Sequence, residues 1–130
     1  MQKIKQEQYG FTLLELLIVM SIIGVLSVVA IPKFTNTITL ANTSKIQSDM
    51  QVINSSIVLF QAQKGKYPDN LTTDMQDYIV YIDHLKPPKG QCMLRNGTSI
   101  EITETAYTLS ADRTQALCQS HPLNDFGRKD

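Results

Sequence analysis

Residues Phe11 to Pro32 form a run of 22 residues in which Glu15 is the single charged side chain. At about 1.5 Å per residue a helix of this length reaches roughly 33 Å, enough to cross the hydrocarbon layer of a bilayer. An ionised carboxylate near a bilayer interior costs roughly 2.5–3.5 kcal/mol on insertion scales, so it is retained mainly where a cation neutralises it. Cleavage between Gly10 and Phe11 would create an α-amino group in the same apolar layer as Glu15. A helix does not readily fold Glu15 back onto its own first residue, whereas a neighbouring copy shifted along the axis can present its amine. The residues therefore indicate a helix that assembles with other copies of itself.

A short leader ending at Gly10, followed by Phe11, Thr12, Leu13, Glu15, Gly24 and Pro32, resembles the type IV pilins and their relatives, the type II secretion pseudopilins. The detailed likeness covers about the first quarter of the chain. It implies that a prepilin peptidase cuts between Gly10 and Phe11 on the cytoplasmic side and methylates Phe11, and that Glu15 directs entry into a filament. Gly24 and Pro32 themselves interrupt the run, since a proline inside a helix removes a backbone hydrogen bond, and mark a helix break; the resemblance implies that residues 24–32 unfold locally during assembly, while in lipid the stretch is expected to be more helical. The implied partners are identical or related pilins, the peptidase, an inner-membrane assembly platform and the membrane itself.

Length leaves room for one small domain beyond this segment, because 130 residues match a single domain of ordinary size. Removing residues 1–10 takes away Lys3, Lys5 and Glu7, leaving 10 Lys plus Arg against 11 Asp plus Glu and a mature net charge of −1. That balance does not point to nucleic acid. The two leader lysines favour a cytoplasmic N-terminus, with the remainder facing outward. An ordinary secretory signal cut near Ala30-Ile31-Pro32, or an uncleaved anchor, are the bland alternatives. Neither accounts for Glu15 or for the glycine before Phe11.

Cys92 and Cys118 both lie past the apolar run, on the exported side. A bridge between them closes a loop of 27 residues, worth roughly 3–4 kcal/mol in the chain-entropy model. Two separate buried thiols are the alternative.

Beyond Pro32, Ile46, Met50, Ile53, Ile57 and Phe60 recur at steps of four and three, which predicts one apolar helical face. Lys45, Gln47, Ser48, Asp49, Gln51 and Asn54 are expected on the watery side. The helix is expected to run from Phe11 to about Gln63 and to stop near Gly65, where Gly65-Lys66-Tyr67-Pro68 is similar to an element that follows the long helix in the family. Tyr78 to Ile82 is rich in strand formers but also fits a helical turn, and Pro87-Pro88 ends either. Cys92 to Arg95 and Thr98 to Ile102 flank Asn96-Gly97, which predicts a hairpin with a type I′ turn. Residues 106–111 and 114–118 supply further strands, and the tail from His121 shows no periodicity. The expected fold class is α+β: a leader at 1–10, a membrane or filament-core helix at 11–32, an amphipathic helix at 33–64, and a small antiparallel β-rich head at 65–130.

No catalytic constellation is legible: His84 and His121 are isolated, neither cysteine sits in a metal-type pair, and no glycine-rich phosphate loop follows a strand. No cofactor and no metal are expected. Asp112, Asp125 and Asp130 lack the spacing of a calcium loop and read as solvated charge. The Asn-x-Ser/Thr triplets at Asn42, Asn54, Asn70 and Asn96 read as chance. Lys86, Lys89 and Arg95, with Tyr78 and Tyr81 nearby, are the weak candidates for a DNA contact.

The resemblance thus implies a structural subunit of a type IV pilus, inserted in the inner membrane as a precursor and then extracellular, with adhesion, twitching or DNA uptake as its outputs. A secretion pseudopilin and a non-polymerising membrane-anchored binding module are the alternatives.

Overall fold

The structure is a computed structural model that describes residues 9–129; most of the expected leader, residues 1–8, and Asp130 lie outside the described residues. Helix α1 spans Leu13–Lys64, 52 residues. It stops at Gly65, whose positive φ of +71° suits a residue without Cβ and whose N–H donates to Gln61 O at 2.8 Å. The helix runs unbroken through Gly24 and Pro32, the two positions marked as breaks from the sequence. Proline removes one backbone donor, and here the ladder resumes on both sides. The chain divides into two compact units, Met1–Thr35 and Asn36–Asp130.

In the second unit the expected apolar face holds: Ile46, Met50, Ile53, Ile57 and Phe60 are all buried. They join Met75, Ile79, Cys92, Leu94, Ile102, Tyr107, Ala116, Cys118 and Phe126 in one core. Each fully buried aliphatic side chain contributes about 1.5–3 kcal/mol, so this seam fixes the head to the helix. The polar flank differs from expectation. Asp49 is buried, accepting from Tyr107 Oη at 2.8 Å and from Lys45 Nζ at 2.5 Å. Gln47 donates to Phe126 O at 2.9 Å, and Asn54 accepts from Ala116 N at 2.7 Å. These side chains border the apolar stripe, where they satisfy backbone groups that the head brings to the helix.

After α1, Asn70 caps the short helix α2 (Leu71–Asp74), accepting from Thr72 N and Thr73 N. Residues 78–82 form turns leading into a 3₁₀ turn at Ile82–His84 rather than a strand. Strand β1 (Gly90–Met93) pairs antiparallel with β2 (Ser99–Ile102), with Cys92 opposite Ile100. The hairpin is present but its turn is not type I′, because Asn96 does not take the positive φ which that turn requires. Gly97 alone is left-handed, at +91°, while Gly97 N donates to Leu94 O and Leu94 N to Thr98 O, the pattern of a three-residue loop. Asn96 Oδ1 stabilises it by accepting from Thr98 N and Thr98 Oγ1. A second sheet has the order β3 (Thr108–Leu109), β4 (Ala116–Cys118), β5 (His121–Pro122). The architecture is α+β, with a long apolar N-terminal helix and a small antiparallel head.

The tail is structural. Phe126 is fully buried and bridges to Leu94, while Arg95 N donates to Asp125 O and Gly127 N to Met93 O. Truncating Phe126 to alanine should cost about 3–5 kcal/mol. In detergent-solubilised protein the denaturant midpoint should fall while the helical circular dichroism of the native state is kept; an unchanged midpoint would show that the tail does not close the core.

Candidate functional site

Among the described residues of the first unit none is buried. From Phe11 to Ile31 every large apolar side chain is more than half exposed, from 51% at Ile18 and Val19 to 95% at Phe11. Contiguous exposed apolar surface on this scale marks a membrane or protein contact, and α1 is long and apolar enough to cross a membrane. The hydroxyls within it are folded back onto the helix: Ser21 Oγ donates to Leu17 O and Ser27 Oγ to Ile23 O, both at 2.7 Å. That arrangement leaves few polar groups needing water in a medium that has none.

Glu15 makes a contact within its own helix start. Thr12 N donates to Glu15 Oε2 at 2.9 Å, and Glu15 N donates to Thr12 Oγ1 at 3.2 Å. This is a reciprocal capping box, with Thr12 at the N-cap of a helix that starts at Leu13. The signal was legible as Thr12-x-x-Glu15 before an apolar run. Glu15 therefore does reach back toward the start of its own helix. The acceptance satisfies one free N–H at the helix end, and a carboxylate there also suits the macrodipole. Gly10 precedes the helix, and a methyl group added at its Cα would meet nothing within 4 Å.

In the head, Cys92 on β1 and Cys118 on β4 are free thiols, both fully buried in the same core. Burial pushes the Cys92 thiol up to about 11. Cys118 rises to about 12 through burial first, then through Glu104, Cys92 and Asp49. Burial, followed by the hydrogen bond to Asp49, also raises the Tyr107 hydroxyl strongly.

The remaining candidates are not gathered. Tyr78 packs edge-on against Phe60 and donates to Gln63, whereas Tyr81 is exposed and contacts His84. Asp112 is held by Ser110 and Thr114, which keep its carboxyl below the usual range, while Asp125 faces His121 at 2.9 Å. Among the described residues no group of His, Cys, Asp or Glu is arranged to hold a metal ion.

Against known proteins, residues 5–31 match the model of the prokaryotic N-terminal methylation motif. The chain belongs to the type IV pilin and pseudopilin family. It is 31% identical over 98 residues to competence protein ComGC of Halalkalibacterium halodurans, covering 75% of this chain and 94% of that protein. It is also 31% identical over 93 residues to type II secretion system core protein G of Klebsiella michiganensis, covering 72% of this chain and 63% of the relative. To type IV major fimbrial protein FimA of Dichelobacter nodosus it is 39% identical over 64 residues, covering 48% of this chain and 41% of that protein. No solved structure matches the chain.

The buried thiols generate a pH test. Burial holds both thiols above their ordinary value of about 9, so a reduced head keeps this stabilisation below about pH 9 and loses it as pH rises towards 11 and 12. Thermal midpoints of reduced protein should therefore fall between pH 9 and 11 more steeply than those of oxidised protein. Parallel curves would show that the cysteines do not pair.

Proposed function

We propose that this chain is a type IV pilin subunit that polymerises through its N-terminal helix into an extracellular filament. The observation that carries the reading is the bare apolar half of α1, headed by one carboxylate. Cleavage between Gly10 and Phe11 would start the mature chain beside that carboxylate, with Phe11 methylated as in the matched motif. Glu15 then exchanges its bond to Thr12 for the amine of a neighbouring Phe11. Copies or related pilins, the prepilin peptidase and an inner-membrane platform are the partners. The precursor sits in the inner membrane. Gly24 to Pro32 is the stretch that yields in the filament, since it holds both a glycine and a residue without N–H.

On export, oxidation of the two free thiols would join Cys92 to Cys118 as the staple of the head, and their burial in one core supports the pairing. A second reading, a competence-type subunit serving DNA uptake, is favoured by coverage: the match spans 94% of the competence protein but 41% of the fimbrial one. The secretion pseudopilin stands between, at 63%.

Two substitutions separate the roles of Glu15. Glu15→Gln keeps an oxygen for Thr12 N–H and removes the charge, whereas Glu15→Ala removes both. With either as sole subunit, processed and membrane-resident protein should accumulate with few or no sheared filaments. Wild-type filament yield from Glu15→Gln would reduce Glu15 to a helix cap and contradict the pairing.

A further inference from the structure

The tail returns basic side chains to the turn of the β1–β2 hairpin. A methyl group added at Gly97 would meet Lys129 Cδ at 3.0 Å, and one at Gly127 would meet Arg95 at 3.2 Å, so these two side chains lie over the turn and the tail. Arg128 is exposed between them in sequence. Among the described residues Arg95, Arg128 and Lys129 form no ion pair, and the nearby acid, Asp125, is engaged by His121. Among the described residues the head thus carries a basic corner with no ion-pair partner of its own.

The complementary charge lies elsewhere on the same head. Residues 69–84 contain four aspartates and neither lysine nor arginine. Two are occupied: Asp69 by Arg113 and Lys66, and Asp74 by the N–H groups of Asp69 and Asn70. Asp77 and Asp83 are exposed and form no ion pair among the described residues. Between them stand Val80 and Tyr81, 78% and 74% exposed, with Tyr81 held at a positive φ of +64°. An exposed apolar pair flanked by acids has the make-up of a contact surface, and its tyrosine suits an arginine.

The two surfaces are tied to different points of the helix. The tail is tethered to α1 at Gln47 through Phe126 O, and the acidic segment at Gln63 through Tyr78. Those positions are 16 residues apart, about 24 Å along the helix and about 160° around it. A second copy displaced along and around that axis can bring them together. We propose that Arg95, Arg128 and Lys129 of one head dock on Asp77, Tyr81 and Asp83 of a second copy. The contact is head-to-tail, of the kind that propagates into an open helical array, and it rests on the subunit reading above.

Carbodiimide coupling of filaments assembled from a mixture of isotopically light and heavy chains tests it. The reagent joins an amine to a carboxylate with loss of water, so a light–heavy amide between Lys129 and Asp77 or Asp83 should appear in filaments and be absent from detergent-dispersed chains. Arg128→Glu with Lys129→Glu should lower sheared-filament yield to roughly a tenth, as should Asp77→Lys with Asp83→Lys, since like charges then face each other. Combining all four should restore it. Thermal midpoints should not move, because every altered side chain is exposed. Filaments at wild-type yield from both pairs, without the Lys129 link, overturn the contact and leave the subunit reading standing. No filament from the wild-type chain overturns the subunit reading, and the contact with it.

Discussion

Half of one helix has no cover of its own, and the remainder of the molecule is organised around that fact. From Phe11 to Ile31 the large apolar side chains are all more than half exposed, while from Ile46 onward the same helix buries an apolar stripe completely. At about 25 cal/mol per Å² of apolar surface, leaving the first half in water is costly enough that lipid or other helices must take it. The second half is a conventional amphipathic helix whose partner is the head. One continuous element, Leu13–Lys64, therefore serves two different solvents.

Glu15 sits where these demands meet. Its bonds with Thr12 stabilise the helix start by about 0.5–2 kcal/mol, the usual range for a cap. Placing a lone charge in the bilayer costs roughly 2.5–3.5 kcal/mol. The cap therefore leaves on the order of 0.5–3 kcal/mol unmet, which a neighbouring amine can supply. The capping box is the arrangement seen in the single chain; in the proposed filament the amine pair would replace it, drawing on the same carboxylate oxygens.

Much of this was legible in the residue order, and the exceptions share a cause. The 22-residue apolar run, the stripe from Ile46 to Phe60 and the stop at Gly65 follow from local periodicity and backbone freedom, and all three are present. The misplaced features depend on distant partners. Asp49 reads as a surface residue until Tyr107, 58 positions later, bonds to it. Phe126 lies in a tail without periodicity, yet it is fully buried because Leu94 and Gln47 receive it. Asn96-Gly97 signalled a tight turn correctly, but Asn96 used its side chain on Thr98 and left the positive φ to glycine alone. The Thr12–Glu15 pair is a local signal of the other kind: Glu15 has a partner three residues away as well as the charge that calls for an external cation.

In the proposed filament Glu15 exchanges its own helix start for the N-terminus of another copy. A helical reconstruction of the native filament at side-chain resolution measures this directly. A Glu15 carboxylate oxygen is expected within about 4 Å of the Phe11 nitrogen of a neighbouring subunit, the usual limit for an ion pair. A filament in which Glu15 still accepts from its own Thr12, with every Phe11 nitrogen remote from it, would contradict the account.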